Sequence, residues 1–266
     1  MSKSPERPRP HLLPDERRRL IAEYVDQHGR ATVQELARQF GTSAVTIRGD
    51  LDVLANAAAI VRSHGGALPR LPVSNDAPVT IKETRHQAQK QRIGAAAARL
   101  IRDGETIILD SGSTTMEIAR QIRQRKFDSL TVITNALNIA LELSGQPGVR
   151  VMMLGGMLRA TSYSLVGPDA QQALSKLSAD RLFLGVDGLD PEIGVTTPDP
   201  LESALNALMI RVARRTIAVM DASKLGQRSL SVIAPVHQLH KVITDKQAAP
   251  ELVEALRGAG IEVELA

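Results

Sequence analysis

The sequence predicts an α/β chain in two parts: a short helical module at the N-terminus, then a longer region built on a mainly parallel sheet covered by helices. Two observations carry this. Strand-like apolar runs at 106–109, 130–134, 149–154, 181–185, 215–220, 241–244 and 261–265 alternate with helical stretches such as 116–125 and 136–143. Residues 12–68 instead show short helical periods interrupted by Gly29 and Gly41, and Pro69, Pro72 and Pro78 mark a change of class. A length of 266 residues suits one large domain or two smaller ones. The expected division is a tail over 1–11, a small helical module over 12–68, a linker over 69–90 that passes into a helix, and a second domain over 91–266.

In the first module, Leu20, Ile21, Tyr24 and Val25 repeat at helical spacing before Gly29. Thr32 and Glu35 have the spacing of a capping box, followed by the apolar stripe Val33, Leu36, Ala37 and Phe40 and the stop at Gly41. Thr42 or Ser43 caps a third helix whose Ile47, Leu51, Leu54 and Ala58 share one face. Val45, Arg48, Gly49 and Asp52 then lie opposite that face, with Thr46 beside them. Two short helices across a glycine turn form a helix-turn-helix over about 31–50, and residues 59–68 read as two short strands around a tight turn, a wing. Periodicity alone equally allows a three-helix packing module without a DNA role.

Composition narrows the partners. Aromatic residues make up 2% of the chain, which disfavours base stacking on single strands. No cysteine is present, so disulfides, thiolate metal sites and a Cys nucleophile are excluded. Of the formal net charge of +4, most falls in residues 1–70. The opening residues carry Arg and Pro without an apolar stretch behind them, which predicts a basic tail rather than a signal peptide. With no apolar run long enough to span a bilayer, the expectation is a cytoplasmic protein with no membrane partner.

The chemistry of the second part collects at the strand ends, where parallel sheets bind ligands. Run 106–109 leads into Asp110, Ser111, Gly112, Ser113, Thr114 and Thr115 and then a helix, a cradle suited to phosphate or simply a capped turn. The following runs end in Asn135, in Gly155, Gly156 and Arg159, in Asp187 and Gly188, and in Asp221 to Lys224. Arg159 and Lys224 can offset phosphate charge, and Asp187 can accept from sugar hydroxyls. In the connecting stretch, Lys82, Arg85, Lys90 and Arg92 read as a solvated face, with help in DNA or subunit contacts the alternative. His237 and His240 have chelating spacing but no third ligand cluster, so no metal and no cofactor are expected.

The string Ser43-Ala-Val-Thr-Ile-Arg-Gly-Asp-Leu51, with Arg62-Ser-His-Gly-Gly-Ala67 after it, resembles the signature of the DeoR family of bacterial transcriptional regulators. DSGSTT, VITN, LGG-x-x-R, GVDGLD, the stretch from Glu202 to Met209 and D-x-SK follow in the order of that family's sensor domain. The resemblance implies a winged helix-turn-helix followed by a sugar-phosphate-isomerase-like effector domain. It further implies a repressor of sugar or polyol catabolism that responds to a phosphorylated sugar. The segment 184–190 and Asn206, where many members have Lys, resemble the amino-sugar branch. One departure stands out: Gly49 occupies the place of a second basic residue.

On this reading Ser43, Thr46, Arg48, Arg62 and His64 face DNA, with helix capping the alternative for Ser43 and a structural wing role the alternative for His64. The effector set is Asp110 to Thr115, Asn135, Gly155, Gly156, Arg159, Asp187, Gly188, Glu202 and Lys224. The partners are double-stranded operator DNA, a phosphorylated sugar and further copies of the chain, as a dimer or tetramer, because one such module makes few base contacts. The competing class is an isomerase- or deaminase-type enzyme using Asp110, Asp187, Asp190, Glu202 and Lys224 as acid–base groups.

Overall fold

The computed structural model describes residues 13–28, 30–56, 59–63, 65–69 and 76–266. The basic tail expected over residues 1–11, and His64, lie outside the described residues. The chain divides between Pro72 and Val73 into two compact units.

The first unit runs α1 (Pro14–His28), β1 (Ala31–Thr32), α2 (Val33–Phe40), α3 (Ala44–Asn56), β2 (Ile60–Ser63) and β3 (Gly66–Pro69). Its local signals act as the residues require. The Thr32 hydroxyl accepts from the Glu35 amide at 3.2 Å while the Glu35 carboxylate accepts from the Thr32 amide at 2.8 Å, so two first-turn donors of α2 are satisfied reciprocally. Gly41 closes that helix in the left-handed region, φ +60°, where a side chain would be strained. Of the two residues expected to cap α3, Ser43 does so, its Oγ accepting from the Thr46 amide at 3.0 Å. Ile21, Val25, Leu36, Ile47, Leu51 and Leu54 form the centre of an aliphatic core. Strands β2 and β3 pair antiparallel as the wing, and β3 also pairs with β1.

The second unit begins with α4 (Val79–Thr84) and α5 (Gln87–Ala98), in and beyond the stretch read as a linker passing into a helix. It continues β4 (Thr106–Leu109), α6 (Ser113–Arg123), β5 (Leu130–Thr134), α7 (Leu137–Leu143), β6 (Val149–Met153), β7 (Met157–Arg159), β8 (Ser164–Val166), α8 (Pro168–Leu174) and β9 (Ala179–Gly185). Then come β10 (Gly188–Asp190), β11 (Gly194–Thr197), α9 (Pro200–Val212), β12 (Ala213–Val219), β13 (Ser231–Ala234), β14 (Lys241–Thr244), α10 (Pro250–Gly258) and β15 (Glu262–Leu265).

A seven-stranded sheet in the order β15-β14-β12-β9-β4-β5-β6 organises this unit, and each of its pairings is parallel. Both faces are covered, which is why its inner strands read as unbroken apolar runs. Ile107, Leu109, Phe183, Ile217, Val219 and Ile243 enter the core on one face, and Ile108, Leu182, Leu184, Ala218 and Val242 that on the other. Strand β4 is followed on one side by β5 and β6, and the chain then returns to lay β9 on its other side. The topological switch point therefore lies between the carboxyl ends of β4 and β9, and such a point opens a ligand crevice in open parallel sheets. Two antiparallel additions, β7-β8 and β10-β11-β13, decorate the unit.

Among the four basic residues read as a solvated face, two are not. Lys90 is buried, its Nζ donating to the carbonyls of Lys82 and of Arg85, and Lys82 pairs with Asp187 at 2.7 Å. Arg85 and Arg92 are exposed.

Candidate functional site

On the first unit, the outward face of α3 presents Val45, Arg48, Gly49 and Asp52 to solvent, as its angular spacing requires. The Ser43 and Thr46 hydroxyls lie 2.9 Å apart at the start of the helix, so both are engaged locally and still carry capacity for a further hydrogen bond. Arg62 reaches back from β2 to Asp52 of α3, Nε to Oδ1 at 3.0 Å, and its Nη1 lies 3.4 Å from the Gly66 carbonyl. This pair fixes the wing to the helix. The space around Gly49 is open, so any side chain can be placed there without collision.

Asp50 belongs to the motif but was given no role from sequence. It is 2% exposed, and its two carboxylate oxygens accept from Arg17 Nε at 2.6 Å and Arg18 Nε at 3.0 Å, tying α1 to α3. The missed signal was angular: Asp50 lies on the same side of the helix as Ile47, Leu51 and Leu54, and a carboxylate on a buried face requires a cation.

In the second unit the two strands of the switch point meet directly. The Gly185 amide at the end of β9 donates to Asp110 Oδ1 at 2.9 Å, at the end of β4. Asp110 is buried, and its Oδ2 has no hydrogen-bond partner among the described residues. Burial, reinforced by Glu202 and Asp187, pushes its carboxyl up to about 8 against the opposing Gly185 bond and the nearby Thr115 hydroxyl. Next to it α6 starts at Ser113 with Gly112 as an N-cap that supplies no side-chain hydrogen bond, so the first-turn amides are available to an anion. Ser113, Thr114 and Thr115 are buried, and the Thr115 hydroxyl donates within the turn to the Asp110 and Gly112 carbonyls. At the end of β5, buried Asn135 donates to the Leu165 carbonyl while its Oδ1 is also unpartnered.

A second cluster surrounds Arg159. Its Nε donates to Asp199 at 3.0 Å, its Nη1 to Ser162 at 2.9 Å and Glu202 at 3.1 Å, and its Nη2 to Asp76. Glu202, in the first turn of α9, also accepts from the Ser162 and Ser164 hydroxyls at 2.6 and 2.7 Å. Lys82 joins Asp187 to this cluster, lying 3.6 Å from Asp76. Although burial opposes it, the positive charges of Lys82 and Lys224 hold the Asp187 carboxyl below the ordinary carboxylate range. Lys90 behind them is lowered chiefly by burial.

Residues 17–69 match the family model described as the DeoR-like helix-turn-helix domain, and residues 85–246 match the DeoR C terminal sensor domain. The chain belongs to the DeoR family. An Escherichia coli O157:H7 protein provisionally named as the aga operon transcriptional repressor is 40% identical over 250 residues, covering 93% of this chain and 92% of that one. The HTH-type transcriptional regulator GlpR of Haloferax volcanii is 35% identical, covering 95% and 98%. A solved ribose 5-phosphate isomerase A from Methanocaldococcus jannaschii superimposes with a TM-score of 0.39 at 16% identity, over 52% of this chain and 54% of that one, too little to add weight. As a DeoR-family member the chain is a transcription regulator and not an enzyme.

The DeoR-family geometry brings some expected residues together and reassigns others. Asp110, Gly112, Thr115 and the α6 N-terminus converge at the switch point. Ser111 lies half-buried at its mouth, and Lys224 is half-buried close enough to act on the charge of Asp187. Arg159, expected to be ready for phosphate, is instead surrounded by three carboxylates, and Asp187, expected to accept hydroxyls, holds Lys82. Gly188 and Gly156 are accounted for by packing, since a Cβ would strike the Gln227 and Val166 carbonyls at 2.5 Å; at Gly155 the space is open. Asp76, Lys82 and Asp199 were missed because each meets a partner far along the chain, and Lys90 because its partners are backbone carbonyls, which a pattern of side chains does not show. His240 is occupied, its Nδ1 accepting from the Thr216 amide at 3.1 Å. Among the described residues no helix is long and apolar enough to cross a membrane.

The Asp110 environment has a measurable consequence. Its folded pKa of about 8 lies above the ordinary 3.8, so in between the native state keeps a proton that the unfolded chain has lost. That stabilisation is full below the ordinary value and disappears as pH rises toward the folded one. Asp110→Asn can accept the Gly185 bond and cannot ionise. Relative to this variant, the wild type should lose stability from about pH 5 to about pH 8, by up to about 1.4 kcal/mol per pH unit. Denaturant unfolding of both proteins across that range checks it, and parallel curves would refute the assignment.

Proposed function

We propose that this chain represses an operon for sugar or amino-sugar catabolism, holding double-stranded operator DNA through α3 and the wing and releasing it when a phosphorylated sugar binds at the strand ends of the second unit. The carrying observation is a coincidence at the strand ends beside the switch point. Asp110 Oδ2 and Asn135 Oδ1, two buried oxygens without partners among the described residues, sit at the ends of adjacent strands beside a helix N-terminus whose first-turn amides receive no side-chain cap. Hydroxyls satisfy such oxygens, and a phosphate is held by such amides together with Arg159, whose partner Glu202 lies close enough to act on the charge of Asp110. The 40% identity to a protein named for the aga operon supports the amino-sugar branch. We further propose a cytoplasmic homo-oligomer, dimer or tetramer, in which paired modules read repeated half-sites.

Gel shifts with genomic duplex fragments, repeated with a panel of sugar and amino-sugar phosphates, test the reading. Operator binding abolished by one of these compounds is expected; binding to no duplex, with or without them, would sink it. Within the same assay two substitutions should move in opposite directions. Arg48→Ala should cost about 1–3 kcal/mol of operator affinity while ligand-induced stabilisation of the protein persists. Gly49→Arg, placed in open space on the same face, should tighten binding and steepen the salt dependence by about 0.9 in log–log slope, one added phosphate contact. An unchanged salt slope would place this face away from the DNA backbone.

A further inference from the structure

The effector-site residues Arg159 and Asp187 are already engaged, and what engages them comes from one short stretch of chain. Asp76 pairs with Arg159 and Lys82 with Asp187. The same stretch is pinned at its middle, where the Val79 amide donates to the Thr161 carbonyl at 2.7 Å and the Val79 side chain is buried. Glu83 pairs with Arg120 of α6 at 3.6 Å. Residues 76–84 thus form a strap over the effector residues, and they are the part of the second unit through which the chain continues back to the first.

We infer that this strap is an internal competitor of the effector: the Asp76 carboxylate occupies the anion position on Arg159, and an effector phosphate enters by displacing it. The inference rests on the effector reading given above. Three carboxylates, Asp76, Asp199 and Glu202, converge on a single guanidinium. A phosphate added to that set without loss of a carboxylate meets net negative charge, so one must leave. Asp199 is committed as the N-cap of α9, accepting from the Leu201 and Glu202 amides at 2.9 Å. Glu202 is buried and held by two serine hydroxyls. Among the described residues Asp76 has only Lys82, at 3.6 Å, as a second partner, and it is the carboxylate that can go. Lys82 is then drawn the same way, because a ligand hydroxyl that donates to Asp187 competes for the same oxygens. Mutual exclusion between strap and ligand supplies the difference in affinity between two states that any ligand switch requires.

Full-length wild type and Asp76→Asn are compared with inorganic phosphate as the probe. Affinity is read by calorimetric titration, and protection of the amides of residues 76–84 by hydrogen exchange. If the strap is seated about nine-tenths of the time, Asp76→Asn binds phosphate about tenfold tighter than wild type. Phosphate should also speed exchange of the Val79 amide in wild type, a measurement that does not depend on the variant folding. Equal affinities in a folded variant, or a Val79 amide that stays protected at saturating phosphate, overturns the strap as competitor. If a sugar phosphate still stabilises wild type in that case, the effector reading survives without the strap; if none does, the effector reading falls as well.

Discussion

Asp50→Ala is expected to destabilise the first unit by about 3–5 kcal/mol, the cost of removing one partner from a buried ion pair. The carboxylate is 3% exposed at its side chain and Arg17 11%, so neither water nor salt screens the contact well. Removing it takes from Arg17 and Arg18 the group that joins α1 to α3. The unit has a small aliphatic core, and domains are stable by about 5–15 kcal/mol in total, so most of the margin is at stake. Calorimetry of the full chain should show an early transition for the first unit and an unshifted one for the second. The Asp52–Arg62 pair is the internal control. At 61% and 34% exposure it should be worth about 0–1 kcal/mol, and Asp52→Ala should barely move the first transition. Equal effects of the two substitutions would mean that Asp50 contributes no more than a surface charge.

The contrast between these aspartates shows what was legible in the sequence. Parallel strands buried on both faces produce long aliphatic runs, and the main sheet was readable from them to within a residue or two at most ends. The cap at Thr32 and the left-handed stop at Gly41 are local, and local chemistry is visible in a linear string. Strands β7, β8, β10 and β11 were not, because three or four residues establish no period, and β11 finds its second partner in β13 far along the chain. The charged network was invisible for the same reason. Lys82 and Asp187 are 105 residues apart, and Arg159 and Asp76 are 83 apart, so only the topology brings them together. Sequence placed polar residues at the strand ends correctly. It could not tell which of them were already paired.

Arg159→Met should be the most damaging change in the second unit, with two separable effects. It removes the cation from Asp76, Asp199 and Glu202, whose side chains are 17%, 22% and 9% exposed, and leaves three like charges in one partly buried place. A loss of about 3 kcal/mol is expected, the lower end for a broken buried pair because the cluster retains some water. Phosphate binding should be lost in parallel. The two effects part in the double variant. Adding Asp76→Asn to Arg159→Met removes one of the stranded charges, so it should restore about 1 kcal/mol of stability while restoring no phosphate affinity. On the wild-type background the same Asp76→Asn removes an attractive pair and should cost stability while raising phosphate affinity. A substitution whose effect on stability changes sign with the partner, and whose effect on binding exists only when the partner is present, is what a carboxylate competing for one guanidinium must produce. Denaturant unfolding and phosphate titration of the four proteins measure both quantities, and additive effects in either would separate Asp76 from Arg159.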